Sequence, residues 1–517
     1  MIETEESRDG DLTAKINNNY LHSAYSPRKE AVKFYHNNKL EISRTIILLE
    51  PCLNYLSEVI RKNNSSAKII SIYCDQYFYT RDNKKSDFSF CFTANNSDLQ
   101  FFLSKALNEL DIESLKIIEW PPAKKFYSER CLTIKQILTQ HIRELHGNIT
   151  TTSGFGQKYF RNFLKNYLYT DYILSPVRSS KAVLIAGSGP GLKADLDFIK
   201  DNRNRITLLS LPSSLHFLQY NGIKPDLIIS TDPGYYAALH LNGFEDIPVA
   251  SPLTAAVPFN CLKKGLLAFS QNYFMEACVN NPAPALTLPQ HGTVAGSALY
   301  LSNILTEGPI FISGFDFSYT DLLSHNRPHT FDNLIESSSS RSSPVHSAYF
   351  QRNVADSQRL DGLLRTNQAL KTYAGWFAAN SHRFNNNCYF LGEDAQAPGE
   401  FKSVSHKQAV IMLSVTDPLL LSRFSSVSID ERKNCLMNII RDSRLLLKSN
   451  IDDITTLESG SDILRLLNNQ IIFNLFLPRL LEFKRHQLNK KGKDVQNKAV
   501  SLINETINFL EDYLDYV

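Results

Sequence analysis

The stretch Lys181-Ala-Val-Leu-Ile-Ala-Gly187-Ser188-Gly189-Pro190-Gly191-Leu192 decides how this chain is read. A short apolar run breaks into glycines and a proline, and a pattern of helical period follows. The pattern predicts a buried strand, a tight turn and the first turn of a helix. Such a turn aims backbone N–H groups and the positive end of a helix at one point, which suits a phosphate. It is not a P-loop, since no Gly-Lys-Ser/Thr follows, and it lacks the third glycine of a dinucleotide fingerprint. A phosphate-bearing ligand is therefore expected near residue 190, in the middle of the chain.

Outward from that turn, strands and helices alternate. Strands are expected at 181–186, 206–210, 227–231, 266–269 and 310–313, and helices at 191–201, 213–221, 235–242 and 293–306. This order predicts an α/β fold built on a central, doubly wound, mostly parallel sheet. Ligands of such sheets bind beyond the carboxyl ends of the strands. Polar and special residues collect there. Gly187, Ser188, Gly189, Pro190 and Gly191 follow the first strand, Ser213 and Ser214 the second, and Asp232-Pro-Gly234 the third. His291-Gly292-Thr293 opens a later helix, and Gly314-Phe-Asp316 ends the last strand. Each has an ordinary reading alone: a plain strand-to-helix connection, a turn-initiating aspartate before proline, a histidine at a helix start. Five in series define one candidate crevice.

A small N-terminal α/β domain is expected over 1–125. It has a loose polar start to residue 20, a helix entered through Ser26 and Pro27, strands at 44–50, 68–74 and 115–120, and a helix at 52–62. No glycine fingerprint follows its first strand, so it reads as a structural or degenerate nucleotide fold. Residues 126–178 read as a helical connector, 179–400 as the central domain and 401–517 as a C-terminal helical domain. Within the central domain, 318–360 is a long polar segment carrying His325, His329, His346 and the run Ser337–Ser340. Segments of that length in compact domains are often active-site lids. Near the end, Leu502, Ile503, Thr506, Ile507, Leu510 and Leu514 share one helical face, suited to a bundle or to a homo-oligomer interface.

Composition narrows the class. A chain of 517 residues is too long for one ordinary core. With 55 basic and 52 acidic residues, it makes no case for nucleic acid. Met1 to Lys15 is polar and acidic, without the apolar core of a secretory signal. No run approaches the roughly 20 apolar residues of a membrane span. The eight cysteines are scattered without a CxxC pair, which fits a reducing, cytoplasmic setting.

The ordered motifs carry a resemblance. Gly187-Ser-Gly-Pro-Gly-Leu192 resembles the GxGPSL signature of the motility-associated-factor (Maf) family, the bacterial flagellin glycosyltransferases. Gly222-Ile-Lys-Pro-Asp226 with Asp232-Pro233 is similar to that family's GIKPD…DP segment, and Gly292-Thr-Val-Ala295 to its GTVA helix start. Ile310-Phe-Ile-Ser-Gly-Phe-Asp316 resembles its G-x-D strand end, after which a histidine follows. Leu21-His-Ser-Ala-Tyr-Ser-Pro-Arg-Lys-Glu-Ala31 is similar to its N-terminal LHS-x-Y-x-P-x-x-EA segment, and Asp361 to Tyr373 to its helix entry after the lid. The likeness runs from about residue 20 to 380. The family's serine after Gly-Pro is Gly191 here, and its glutamine before the aspartate is Phe315.

The resemblance implies a sialyltransferase-like central domain. The donor would be a CMP-activated nonulosonic acid of the pseudaminic or legionaminic type, and the acceptor serine or threonine of flagellin. CMP leaves as a phosphate monoester beside the glycine turn, and a histidine takes the acceptor proton. His325 is the first candidate for that base, His329 the second and His346 the third. Asp316 and Asp232 would accept hydroxyl groups of ribose or sugar, or else bind a metal, and Tyr319 would donate to the leaving phosphate. No DxD motif is present, so the transfer is expected to need neither metal nor cofactor. Two other readings stay open: an ATP-dependent enzyme like the archaeal hydroxymethylpterin diphosphokinases, and a non-catalytic flagellin-binding assembly factor.

Overall fold

The computed structural model describes residues 2–514 except 83, 94–95, 272–275, 277–278, 280–285, 290–292, 321, 356, 385–386, 393–394, 414–417, 458–459, 469–476 and 490–491. It divides into two compact units, Met1–Gly156 with Ser443–Asp512 and Gln157–Asp442 with Tyr513–Val517.

In the first unit, β1 (Ile2–Glu6), β2 (Leu12–Ile16) and β3 (Asn19–Tyr20) form an antiparallel sheet where the sequence predicts a loose start. Cross-strand pairs account for the difference: Lys15 pairs with Glu5 at 2.6 Å and lies 4.5 Å over the Tyr20 ring. A parallel sheet of order β6-β5-β4-β7 follows, from β4 (Thr45–Leu49), β5 (Lys68–Tyr73), β6 (Phe88–Cys91) and β7 (Leu115–Glu119). The apolar run of β4 is buried throughout, as in a strand covered on both faces. The strand-end crevice here is filled from within. Wholly buried Glu50 accepts the N–H groups of Cys52 at 3.2 Å, Cys74 at 2.6 Å and Asp75 at 3.1 Å. Burial raises its pKa to about 8 in spite of those bonds.

The C-terminal helices correct the expected division. They run over Ile429–Thr456, Gly460–Asn468, Leu477–Asn489 and Lys493–Leu514. From Ser443 to Asp512 they complete the first unit instead of forming a domain of their own. Leu502, Ile503, Thr506, Ile507 and Leu510 are buried, as their shared face predicts. The helix Leu477–Asn489 packs on the turn Glu109–Ser114, where the Lys484 ammonium donates to the Leu110 carbonyl.

In the second unit the strands are β8 (Tyr172–Pro176), β9 (Ala182–Ala186), β10 (Ile206–Ser210), β11 (Leu227–Ile229), β12 (Val249–Ser251), β13 (Leu266–Ser270), β14 (Leu286–Thr287), β15 (Ile310–Ser313), β16 (Tyr319–Thr320), β17 (Gln358–Arg359), β18 (Leu364–Thr366), β19 (Cys388–Leu391), β20 (Lys402–Val404) and β21 (Leu421–Ser425). The main sheet has the order β20-β19-β15-β9-β10-β11-β12-β13-β8-β21, with β14 beside β13. It is parallel except for β21, which pairs antiparallel with β8. All five expected strands form. The expected helical connector ends in β8, and the expected helical tail begins with the strands β20 and β21. Among the described residues, no helix is long and apolar enough to cross a membrane.

Strand order reverses at β9. From there β10 to β13 step away on one side, and β15, β19 and β20 lie on the other. The crevice beyond the carboxyl ends of β9 and β15 is therefore the topological switch point, where sheets of this kind bind ligands.

Candidate functional site

Two loops meet at the switch point. Gly187 N–H donates to the Ser313 carbonyl at 2.8 Å and Gly189 N–H to that of Gly314 at 2.9 Å, which ties the glycine turn to the loop after β15. A Cβ at Gly187 would fall 2.5 Å from the Phe315 ring, and one at Gly189 would fall 2.2 Å from the Asp316 carboxylate. Only glycine permits so close an approach. Gly191 N–H donates to both Asp316 carboxylate oxygens, at 3.1 and 3.0 Å. The turn predicted to offer N–H groups to a phosphate thus uses three of them inside the protein. The helix behind it is also broken. It runs over Gly191–Ala194 and resumes over Leu196–Asp201, because buried Asp195 turns inward to the Ser313 hydroxyl at 2.6 Å and His406 Nε2 at 2.7 Å. So short a first helix adds little dipole. Asp316 keeps an exposed surface, yet desolvation of its carboxyl pushes its pKa up, and the Asp195 charge acts in the same direction.

The other strand-end residues fall around this junction. Ser188 Oγ donates to Ser213 Oγ at 3.0 Å, and Ser214 is buried against the Ala186 carbonyl. Asp232 is exposed, and its Oδ1 accepts Gly234 N–H at 2.6 Å, the turn-initiating role. Its loop is clamped from the helix Pro121–Tyr169. Asn162 Nδ2 donates to the Pro233 and Thr254 carbonyls, both at 3.0 Å, and Asn166 Nδ2 to those of Leu253 at 2.7 Å and Ala255 at 2.8 Å. Thr293 caps the helix Val294–Leu305, its hydroxyl accepting Ala295 N–H at 3.2 Å. His291 and Gly292 lie outside the described residues. Tyr319 is buried and donates its hydroxyl to the Asn353 carbonyl, so it braces the lid and does not face a leaving group.

The lid rests on the turn. Asn326 donates from its backbone to the Ser188 carbonyl at 2.9 Å and from Nδ2 to that of Gly189 at 2.7 Å. Beside this contact is a cavity of about 120 Å³ lined by Ser213, His240, His325, Arg327, His329, Asp332 and Tyr349 among others. The His325 and His329 rings stack at 4.6 Å, and His240 meets His329 at 5.3 Å and Phe331 at 4.7 Å. His240 Nδ1 lies 2.6 Å from Thr330 Oγ1. Burial, reinforced by His325 and His216, lowers its pKa to about 4, so it is neutral at pH 7. Asp332 organises the wall: it accepts His329 N–H at 2.8 Å and the Tyr349 hydroxyl at 2.9 Å, with Arg327 Nε at 3.6 Å. The Arg327 guanidinium stacks 4.2 Å from the Tyr349 ring centroid.

Of the three lid histidines, the structure brings His325 and His329 together. His346 is exposed on the helix Val345–Asn353, away from the cavity. Sequence reasoning missed His240, Arg327, Asp332 and Tyr349. His240 had a signal: it ends the short helix that begins directly after Asp232-Pro-Gly234. Arg327, Asp332 and Tyr349 had none, because their convergence depends on how the lid folds.

Two of the quoted motifs make contacts within the protein. Asp226 of the Gly222–Asp226 segment accepts Leu208 N–H at 2.7 Å and pairs with Arg203 at 2.8 Å, at the amino ends of the strands. In the Leu21–Ala31 segment, buried His22 accepts Leu53 N–H at 3.1 Å through Nε2, and burial lowers its pKa to about 3. Ser26 is the helix N-cap by position but makes no side-chain cap. Glu30 instead accepts Ser23 N–H at 2.8 Å, and the Ser23 hydroxyl accepts Ser26 N–H at 3.2 Å.

Comparison with known proteins supports the fold. Residues 157–322 match the family described as 6-hydroxymethylpterin diphosphokinase MptE-like. Two uncharacterized proteins of Treponema pallidum (strain Nichols) are similar: one is 24% identical over 285 residues, 54% of this chain and 60% of the relative. The other is 25% identical over 117 residues, 22% of this chain and 56% of the relative. The matches thus span less than two thirds of either relative. Among solved structures, the Maf glycosyltransferase from Magnetospirillum magneticum AMB-1 superposes with a TM-score of 0.55 at 13% identity, over 99% of this chain and 89% of that one. The chain therefore has the fold of a Maf glycosyltransferase, and its switch point lies in an MptE-like stretch.

Proposed function

We propose that this protein is a glycosyltransferase that moves a nonulosonic acid of the pseudaminic or legionaminic type from CMP to serine or threonine of flagellin. The reading places it in the cytoplasm, with flagellar assembly and motility depending on it. The observation that carries the reading is a histidine-lined cavity under a lid, beside the switch point of a fold shared with a Maf glycosyltransferase. In the reaction the acceptor oxygen attacks the anomeric carbon, the bond from that carbon to the phosphate oxygen breaks, and the electron pair leaves with CMP. His325 takes the hydroxyl proton, with His329 stacked against it as the second candidate base. Asp232, exposed on its strand-end loop, accepts hydroxyl groups of the donor. A cavity of about 120 Å³ is small against the ~300–1,000 Å³ of ordinary small-molecule sites, so the lid must lift Asn326 from the turn to admit the donor.

Intact mass of flagellin from cells with and without this protein tests the reading. The expected result is loss of the nonulosonic acid mass, and an unchanged mass overturns it. The MptE-like match favours a second reading, an ATP-dependent enzyme acting on a hydroxymethylpterin. Thermal-shift panels separate the two: CMP stabilises the protein under the first, and only ATP with Mg²⁺ under the second.

A further inference from the structure

We propose that the donor's phosphate sits in the lid pocket against Arg327, beside the glycine turn and not upon it. The inference rests on the reading of the crevice as a sugar-nucleotide site.

Two sets of observations meet here. The turn has little left for an anion. Gly187 and Gly189 donate to backbone carbonyls, and Gly191 donates to the Asp316 carboxylate. Asp316 is itself an anion in the position a phosphate would take, so a phosphate there meets like charge. The departure at Gly191 fits this arrangement. A Cβ at that position would lie 2.8 Å from Asp316 Oδ1, so glycine is what lets the carboxylate rest on the turn.

The pocket has the opposite character. Among the described residues, Arg327, His240, His325 and His329 line it against one carboxylate, Asp332, which already accepts His329 N–H and the Tyr349 hydroxyl. The Arg327 side chain is 39% exposed and 3.6 Å from that carboxylate, so its fork can turn to a phosphate. Its guanidinium carbon lies 4.2 Å from the Tyr349 ring centroid, and a guanidinium fork matches phosphate oxygens. Ser213, bonded to Ser188, lies between the pocket and the turn, so the phosphate stays next to the β9 loop. The titratable and charged groups that line it are His240 from the strand-end helix and His325, Arg327, His329, Asp332 and Tyr349 from the lid, with His216 close enough to act on His240.

Calorimetric titration of the full chain with CMP and with sulfate tests this. R327M is expected to weaken both by about 10- to 100-fold, the loss of a charged hydrogen bond, while D316N leaves sulfate affinity unchanged. Equal affinities in wild type and R327M, with sulfate binding tightened by D316N, would place the anion on the turn and overturn the proposal. CMP binding that ignores R327M sinks the proposal and leaves the sugar-nucleotide reading standing. Arginine-dependent sulfate binding without any CMP binding keeps the anion seat and sinks that reading. If R327M does not fold, R327K decides: it keeps the charge and loses the planar fork, and sulfate and CMP should each bind several-fold more weakly. Unchanged affinities in a folded R327K overturn the proposal.

Discussion

At the scale of single residues, Gly191 and Asp316 form a unit that the sequence presents as two separate facts. Read alone, Gly191 is a missing serine hydroxyl and Asp316 a strand-end acceptor. In the structure the absence of a side chain at 191 is the condition for the aspartate's position. No sequence pattern carries that coupling, since the residues are 125 positions apart. G191S should drive the carboxylate off the turn and cost about 1–2 kcal/mol in chemical denaturation. Combined with D316A, it should cost less than the sum of the two single changes, and strict additivity would refute the coupling. Glu50 offers a second test. Its folded pKa of about 8 stands above the ordinary carboxylate value, so from about pH 4.5 to 8 the folded state holds more protons than the unfolded one. Stability should therefore fall as pH rises through that window, by at most about 1.4 kcal/mol per pH unit for one group. E50Q should remove that part of the slope in unfolding measured from pH 5 to 9.

At the scale of elements, the strands that frame the site were the legible part. β9, β10, β13 and β15 are apolar runs closed by glycine, serine or proline, and their bounds nearly match the expected ones. β8, β12, β19, β20 and β21 were missed because they are short or sit toward the sheet margins, where burial is one-sided or turn residues do not mark the ends. The break at Asp195 was equally hidden. An aspartate in a helical pattern reads as a solvent-facing residue until Ser313 and His406 are seen bonding to it. The clamp from the helix Pro121–Tyr169 also belongs to this scale, with Asn162 and Asn166 one helical turn apart on a common face. N166A leaves two carbonyls in a buried setting without their donor and should cost about 2–3 kcal/mol. N162A touches a half-exposed edge of the same loops and should cost less. Its signature should be a raised KM for the donor at nearly unchanged kcat, because it holds the loop that carries Asp232. Equal losses of stability for the two variants, with KM unmoved by N162A, would reduce both to ordinary packing residues.

At the scale of the whole chain, periodicity shows which face of a helix is buried but not what covers it. The face of Leu502, Ile503, Ile507 and Leu510 was therefore legible, and its partner was not. The reading of 401–517 as one helical domain followed from proximity in sequence, whereas the molecule closes its first unit with residues from both ends of the chain. This arrangement predicts how the protein responds to truncation. A chain ending at Asp442 keeps the main sheet complete, since β20 and β21 precede the cut. It removes from the first unit the helices that carry the buried Leu447, Ile454, Leu480 and Phe483, and so uncovers the apolar surface those side chains cover, which a unit of this size needs for its stability. Hydrogen exchange should then show β4 and β5 losing protection while β9 and β10 keep it. The Arg327-dependent binding of sulfate should survive the cut, because every described residue lining that pocket lies within Gln157–Asp442. Unchanged protection of β4 and β5 would instead mean that the C-terminal helices form a body of their own.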